Sequence, residues 1–186
     1  MSLTLIAEDG SGVANANSYA TVAQADAYHD GHLYASAWTA AVTATKEKAL
    51  VMATRLIDAG VMWKGYKTNA GQALQWPRGI AKDDNLYGYP YAGFTGSESG
   101  GYFANDAIPK ELVDAVSEQA RLLISKDRTA EPDGRGIKRF DLKDVVAVEY
   151  DKGDRLPALA DSVAAFLFNL GTVIKSGGVH MARVVR

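Results

Sequence analysis

Along residues 43 to 60, Ala49, Leu50, Ala53, Leu56, Ile57 and Gly60 recur at three- and four-residue spacing, which predicts a helix capped by Thr43 or Thr45. Leu112, Val113, Val116, Ala120, Leu123 and Ile124 form a second such stripe, with Asp114, Glu118 and Arg121 largely on the other side. Pro109 suits the first turn of that helix. Upstream, Thr21 and Gln24 fit a capping box, so a helix is predicted from about Val22 to Tyr28 or His29, with Gly31 as its stop. Pro157 introduces a last apolar helix of about Ala160 to Leu170, where Val163, Ala164, Phe166, Leu167 and Leu170 close the core. Two stretches have a strand character instead. Leu3 to Ile6 reads as a short strand, and Val146, Val148 and Tyr150 alternate with Val145, Ala147 and Glu149 after Ile137, Phe140 and Leu142. That alternation predicts a β-hairpin over about 136–151 with its turn near Lys143 and Asp144.

The predicted fold is mainly α: a small antiparallel helical bundle with a β-hairpin, a long Gly/Tyr-rich loop and a flexible C-terminal arm. A single domain spans 1–186, with its helical core at about 18–130 and 157–172, the long loop at about 64–107 and the arm at about 177–186. A loop of that length needs a reason, because ordering it costs roughly 1–2 kcal/mol per residue. Tyr87, Tyr89, Tyr91 and Phe94 alternate there with glycines, and Val179, Arg183 and Arg186 mark the half-apolar, half-basic terminus. Both segments are expected to act as arms that pack onto another subunit or partner.

Composition narrows the function classes. The chain has 186 residues, 47% hydrophobic and 23% charged, and no stretch approaches the roughly 18 apolar residues of a membrane span. No membrane partner is expected. The start, MSLTLIAEDG, lacks a basic n-region, so the protein is expected to stay in the cytoplasm where it is made. Cysteine is absent, which excludes disulfides, thiol catalysis and thiolate metal sites. The net charge of −2 gives no global attraction to a polyanion, but its distribution is uneven. Residues 1–60 carry three Lys or Arg against six acids, whereas 61–82 carry Lys64, Lys67, Arg78 and Lys82 with no acid.

Catalytic constellations are missing. His29-Asp30-Gly31-His32 contains two imidazoles beside a carboxylate, but a histidine at a helix C-terminus before a stop glycine has a sufficient structural reason. Gly96-Ser97-Glu98-Ser99-Gly100 puts its serines at the wrong places for a nucleophile elbow, and no phosphate-binding Gly-Lys-Ser or Gly-Lys-Thr occurs. The chain is therefore not expected to be an enzyme, with no catalytic residue, cofactor or metal.

The residues that invite a binding function are Trp63, Lys64, Tyr66, Lys67, Trp76, Arg78 and Lys82, aromatic faces interleaved with cations as on a single-strand platform. The competing reading packs Trp63 and Trp76 beneath the loop and leaves the cations as a solvated rim. In Gly71-Gln72-Ala73-Leu74-Gln75-Trp76-Pro77-Arg78-Gly79, Trp76 and Pro77 are expected to anchor the loop, with Arg78 available to a partner subunit or to DNA.

In chain order, Ala16 to Thr21 with Ala25 to Tyr28, Lys46 to Leu50 with Arg55 to Asp58, Trp63-Lys64-Gly65 and Gly71 to Arg78 resemble a tailed-phage head–tail adaptor family. That family is also labelled DnaT-like single-stranded-DNA-binding protein. Ile108 to Leu112 and Val148-Glu149-Tyr150 extend the resemblance over most of the chain. It implies a head-completion protein that forms a homo-oligomeric ring under the portal and docks the tail. Its partners would be portal and tail-completion proteins, with DNA passing through or weakly bound. Its place would be the virion, and the host cytoplasm during assembly. The label implies the alternative, single-stranded-DNA binding in phage replication.

Overall fold

A computed structural model describes residues 3–79, 104–130 and 156–174, and the backbone alone at 139–142 and 146–149. Among them the chain forms five helices and three two-stranded antiparallel pairs. The helices are α1 (Val22–Asp30), α2 (Ser36–Thr39), α3 (Thr43–Gly60), α4 (Lys110–Ser125) and α5 (Asp161–Leu167). The strands are β1 (Val61–Trp63), β2 (Tyr66–Lys67), β3 (Arg78–Gly79), β4 (Arg139–Leu142), β5 (Val146–Glu149) and β6 (Gly171–Val173). The mainly α reading holds at this coarse level.

Helix α4 is the hub, in contact with α1, α2, α3 and α5. Its apolar stripe buries Leu112, Ala115, Val116 and Ala120 against Leu50, Ala53 and Ile57 of α3 and Val163 and Leu167 of α5 in one core cluster. Gln119 is also fully buried in α4 and satisfies itself across the core. Its amide donates to the Ala158 carbonyl at 2.7 Å and accepts from the Ala160 N–H at 3.3 Å, which fixes the entry to α5.

The helix starts show where local signals suffice. Thr21 and Gln24 form both halves of the capping box, at 3.2 and 2.8 Å, and α1 ends at Gly31. At α3 neither threonine caps: Val42 holds the extended cap position without a side-chain bond, and Thr43 is already helical. Leu3 to Ile6 does not become a strand. Ile6 instead accepts from the Asn17 N–H and donates to Asn17 Oδ1, both at 2.8 Å, so a side chain replaces a strand neighbour.

Helix α2 was not anticipated, since four residues are too few to show a period. It seats Trp38 in the core, with Nε1–H donating to Asp26 Oδ1 at 2.7 Å while Lys46 bonds the same oxygen. The pairing of β1 with β6 was not anticipated either, because it joins Val61 to Val173 across the whole core. Gly171 is required there: a Cβ at this position would lie 2.6 Å from the Met62 carbonyl oxygen and from Val61 Cγ1. Strands β4 and β5 pair Leu142 with Val146 and Arg139 with Glu149, within the expected 136–151. Within the expected long loop, β2 and β3 pair Tyr66 with Gly79 and Lys67 with Arg78.

Candidate nucleic-acid interface

The basic stretch is built on a buried polar node. Tyr19, from the segment before α1, donates its hydroxyl proton to Asp58 Oδ1 at 2.7 Å, and the Tyr19 hydroxyl oxygen in turn accepts the backbone N–H of Gln75 and Trp76 at 2.9 and 3.0 Å. Asp58 Oδ2 also accepts from Gln75 N–H, at 3.2 Å. Burial pushes the Asp58 carboxyl up to about 6, although these hydrogen bonds pull it down. Burial, with the Asp58 charge second, drives the Tyr19 hydroxyl well above its ordinary range, so it stays a donor.

Onto this node the segment from Asn69 to Gly79 folds inward. The buried Gln72 amide donates to the carbonyls of Leu74 and Pro77, each at 3.0 Å, and accepts from Asn69 N–H at 3.0 Å. The Trp76–Pro77 peptide is cis, and Trp76 is 1% exposed, its ring 6.2 Å from that of Trp63 in an edge-to-face contact. Arg78 is 8% exposed. Its Nε–H donates to the Lys64 carbonyl at 2.7 Å, one terminal nitrogen to the Gly65 carbonyl, and the other to the Gln75 carbonyl and Oε1 at 3.2 and 3.1 Å. A guanidinium committed this way ties the β1–β2 turn to the loop before β3 and has little left for a phosphate. The expectation that Arg78 stays available is corrected by this geometry, and Trp76 is turned inward, as its expected anchoring role requires and the stacking alternative does not.

What faces solvent is smaller. Tyr66 is 57% exposed, and its ring lies over Gly79, where a Cβ would meet it at 3.0 Å. Lys64 is exposed and Lys67 half-buried, and neither makes an ion pair among the described residues. Trp63 is half-buried, its Nε1–H enclosed without a partner among the described residues. The turn thus presents two cations beside one accessible aromatic ring, held by Gly65 at φ 70°. Lys82, Tyr87, Tyr89, Tyr91, Phe94, Val179, Arg183 and Arg186 lie outside the described residues.

Other candidate chemistry sits elsewhere. His29 is in the core, where burial lowers its pKa and Nε2 lies 3.1 Å from the Ser117 carbonyl oxygen, while His32 lies 3.6 Å from Glu118. Among the described residues no three histidine or acidic side chains gather as metal ligands would. A groove of about 410 Å³ between α1 and α4, lined by residues that include Tyr28, Ile108 and Val113, has its cation Lys110 paired with Asp114. The residues that sequence reasoning undervalued are Tyr19, Asp58 and Gln72. Their signal was their place in the ordered motif set, whose pieces from Tyr19, Asp58, Trp63 to Gly65 and Gln72 to Arg78 converge in space.

Fold and site together describe a mainly α protein with a basic, aromatic turn clamped onto its core. The chain belongs to the family described as "Putative DnaT-like ssDNA binding protein", whose model matches residues 3–186. Comparison with curated proteins gave no match, and neither did comparison with solved structures. The family match overturns the head–tail adaptor reading, because its description is single-stranded-DNA binding, the alternative. It lends no support to a ring, a portal or a tail partner.

Proposed function

We propose that this protein binds single-stranded DNA through the β1–β2 turn, acting by binding rather than by catalysis. The observation that carries the proposal is the family match over nearly the whole chain. The turn supplies the chemistry such binding needs: Lys64 and Lys67 to meet phosphates, and the open side of Tyr66 as a platform for one base. The protein's net charge of −2 makes the interaction depend on local cations, so affinity falls steeply with salt.

Fluorescence anisotropy of a labelled oligo(dT) at low salt tests this. Tyr66→Ala removes the stacking face and weakens binding by about 1–3 kcal/mol, while the exposed position leaves stability within about 0.5 kcal/mol. An unchanged affinity for Tyr66→Ala would remove Tyr66 from the site. No anisotropy change with the unaltered protein would remove the function.

A further inference from the structure

The solvent face of α3 carries a feature that the turn does not explain. At 100° per residue, the exposed positions of α3 after its first residue, Ala44, Thr45, Lys48, Met52, Arg55 and Ala59, fall within about 100° of arc, on one stripe. Its only charges are the two cations Lys48 and Arg55, and no acid stands on it. Three of the other described cations have carboxylates: Lys46 pairs with Asp26, Lys110 with Asp114, and Arg121 with Glu118, whereas Arg78 and Arg128 bond backbone carbonyls and Lys126 makes no ion pair among the described residues. Lys48 and Arg55, like Lys64 and Lys67, make no ion pair among the described residues. The acids of the same stretch do not cancel them. Asp58 is turned inward to Tyr19 and Gln75, where the cations whose charge it feels are Lys67 and Arg78 rather than Lys48 or Arg55, and Glu47 flanks the stripe half-buried.

Helix α3 also runs directly into β1, with Gly60 followed by Val61. From Lys48 to Arg55 the helix rises roughly 10 Å, and the chain from Arg55 through β1 to Lys64 adds about 20 Å of contour. We infer that the exposed face of α3 is a second phosphate-contacting segment, continuous with the turn, with Lys48 and Arg55 tracking the backbone of the bound single strand. This rests on the proposed function. The contour sets an upper bound on their reach, so the four cations span at most about nine phosphates at the roughly 3.4 Å per nucleotide of one strand. Positive charge matched to a polyanion, and continuity with Lys64, select DNA as the occupant.

The test is the salt dependence of binding to a labelled oligo(dT) of about twelve nucleotides. Four phosphate contacts give a log–log slope of about −2.8, and the Lys48→Gln/Arg55→Gln double variant reduces it to about −1.4. Affinity then falls about 60-fold at 0.05 M salt, with an unchanged thermal melt. Each single variant accounts for about 0.7 of the slope, and Lys126→Gln, at the end of α4, changes nothing. If Lys64→Gln/Lys67→Gln lowers the slope and Lys48→Gln/Arg55→Gln does not, the α3 track is wrong and the turn still binds DNA. No binding by the unaltered protein, or binding to anionic phospholipid vesicles in place of oligo(dT), overturns both.

Discussion

Replacing Arg78 by alanine separates a structural clamp from a DNA contact. The guanidinium makes four hydrogen bonds, three to backbone carbonyls of Lys64, Gly65 and Gln75 and one to the Gln75 side chain. Bonds from a charged donor are worth about 1.5–3 kcal/mol each, but water entering the space left by truncation re-satisfies part of the carbonyls. A net loss of about 2–4 kcal/mol follows. Arg78→Lys keeps the charge but not the planar fork, so it recovers less than half of that loss. The assay is urea unfolding followed by tryptophan fluorescence, since Trp63 and Trp76 pack against each other beside the clamp. Oligo(dT) affinity is measured in parallel on the folded fraction. The reasoning is refuted if Arg78→Ala unfolds at the unaltered midpoint yet loses about 0.7 from the salt slope of binding, since Arg78 would then hold a phosphate instead of the fold.

The Tyr19–Asp58 node makes stability depend on pH. Burial holds the Asp58 carboxyl in the fold at about 6, above the ordinary carboxylate range, so the fold prefers the protonated carboxyl. That contribution is fully present below the unfolded pKa and is lost as pH rises through about 6, worth at most about 3 kcal/mol. Urea midpoints of Asp58→Asn lack this dependence, and an identical pH profile for both proteins would contradict the assignment. Gly171→Ala drives a methyl group into the Met62 carbonyl and Val61, and overpacking of this kind costs about 1–3 kcal/mol, read from the thermal midpoint. An unchanged midpoint would mean that β1 and β6 are not in the register Trp63 to Gly171.

How much of this was legible in the sequence varies with the range of the interaction that fixes it. The capping box at Thr21 and Gln24 and the apolar stripes of α3 and α4 are local and periodic, and they appear at the expected places, although Glu118, expected on the opposite side of α4, is buried in its pair with Arg121. Helix α2 is a single turn held by the Trp38–Asp26 bond rather than by a repeat, and β6 is defined only by β1, more than a hundred residues earlier. The site was misread for a related reason. The charge of Arg78 is visible in the sequence, but its acceptors are backbone carbonyls, which leave no mark on the residue pattern. The inward Trp76 was expected as an anchor, but the partners that hold its backbone, Tyr19 and Asp58, lie far from it in the chain and were not.

The central claim is that the cations and ring of the β1–β2 turn hold single-stranded DNA. Its most direct measurement is the affinity of the unaltered protein for labelled oligo(dT) between 0.05 and 0.3 M salt, beside Lys64→Gln/Lys67→Gln. The account predicts binding with a negative log–log slope, made shallower by about 1.4 in the double variant. The absence of any anisotropy change at the lowest salt, or a slope that the two substitutions leave untouched, would contradict it.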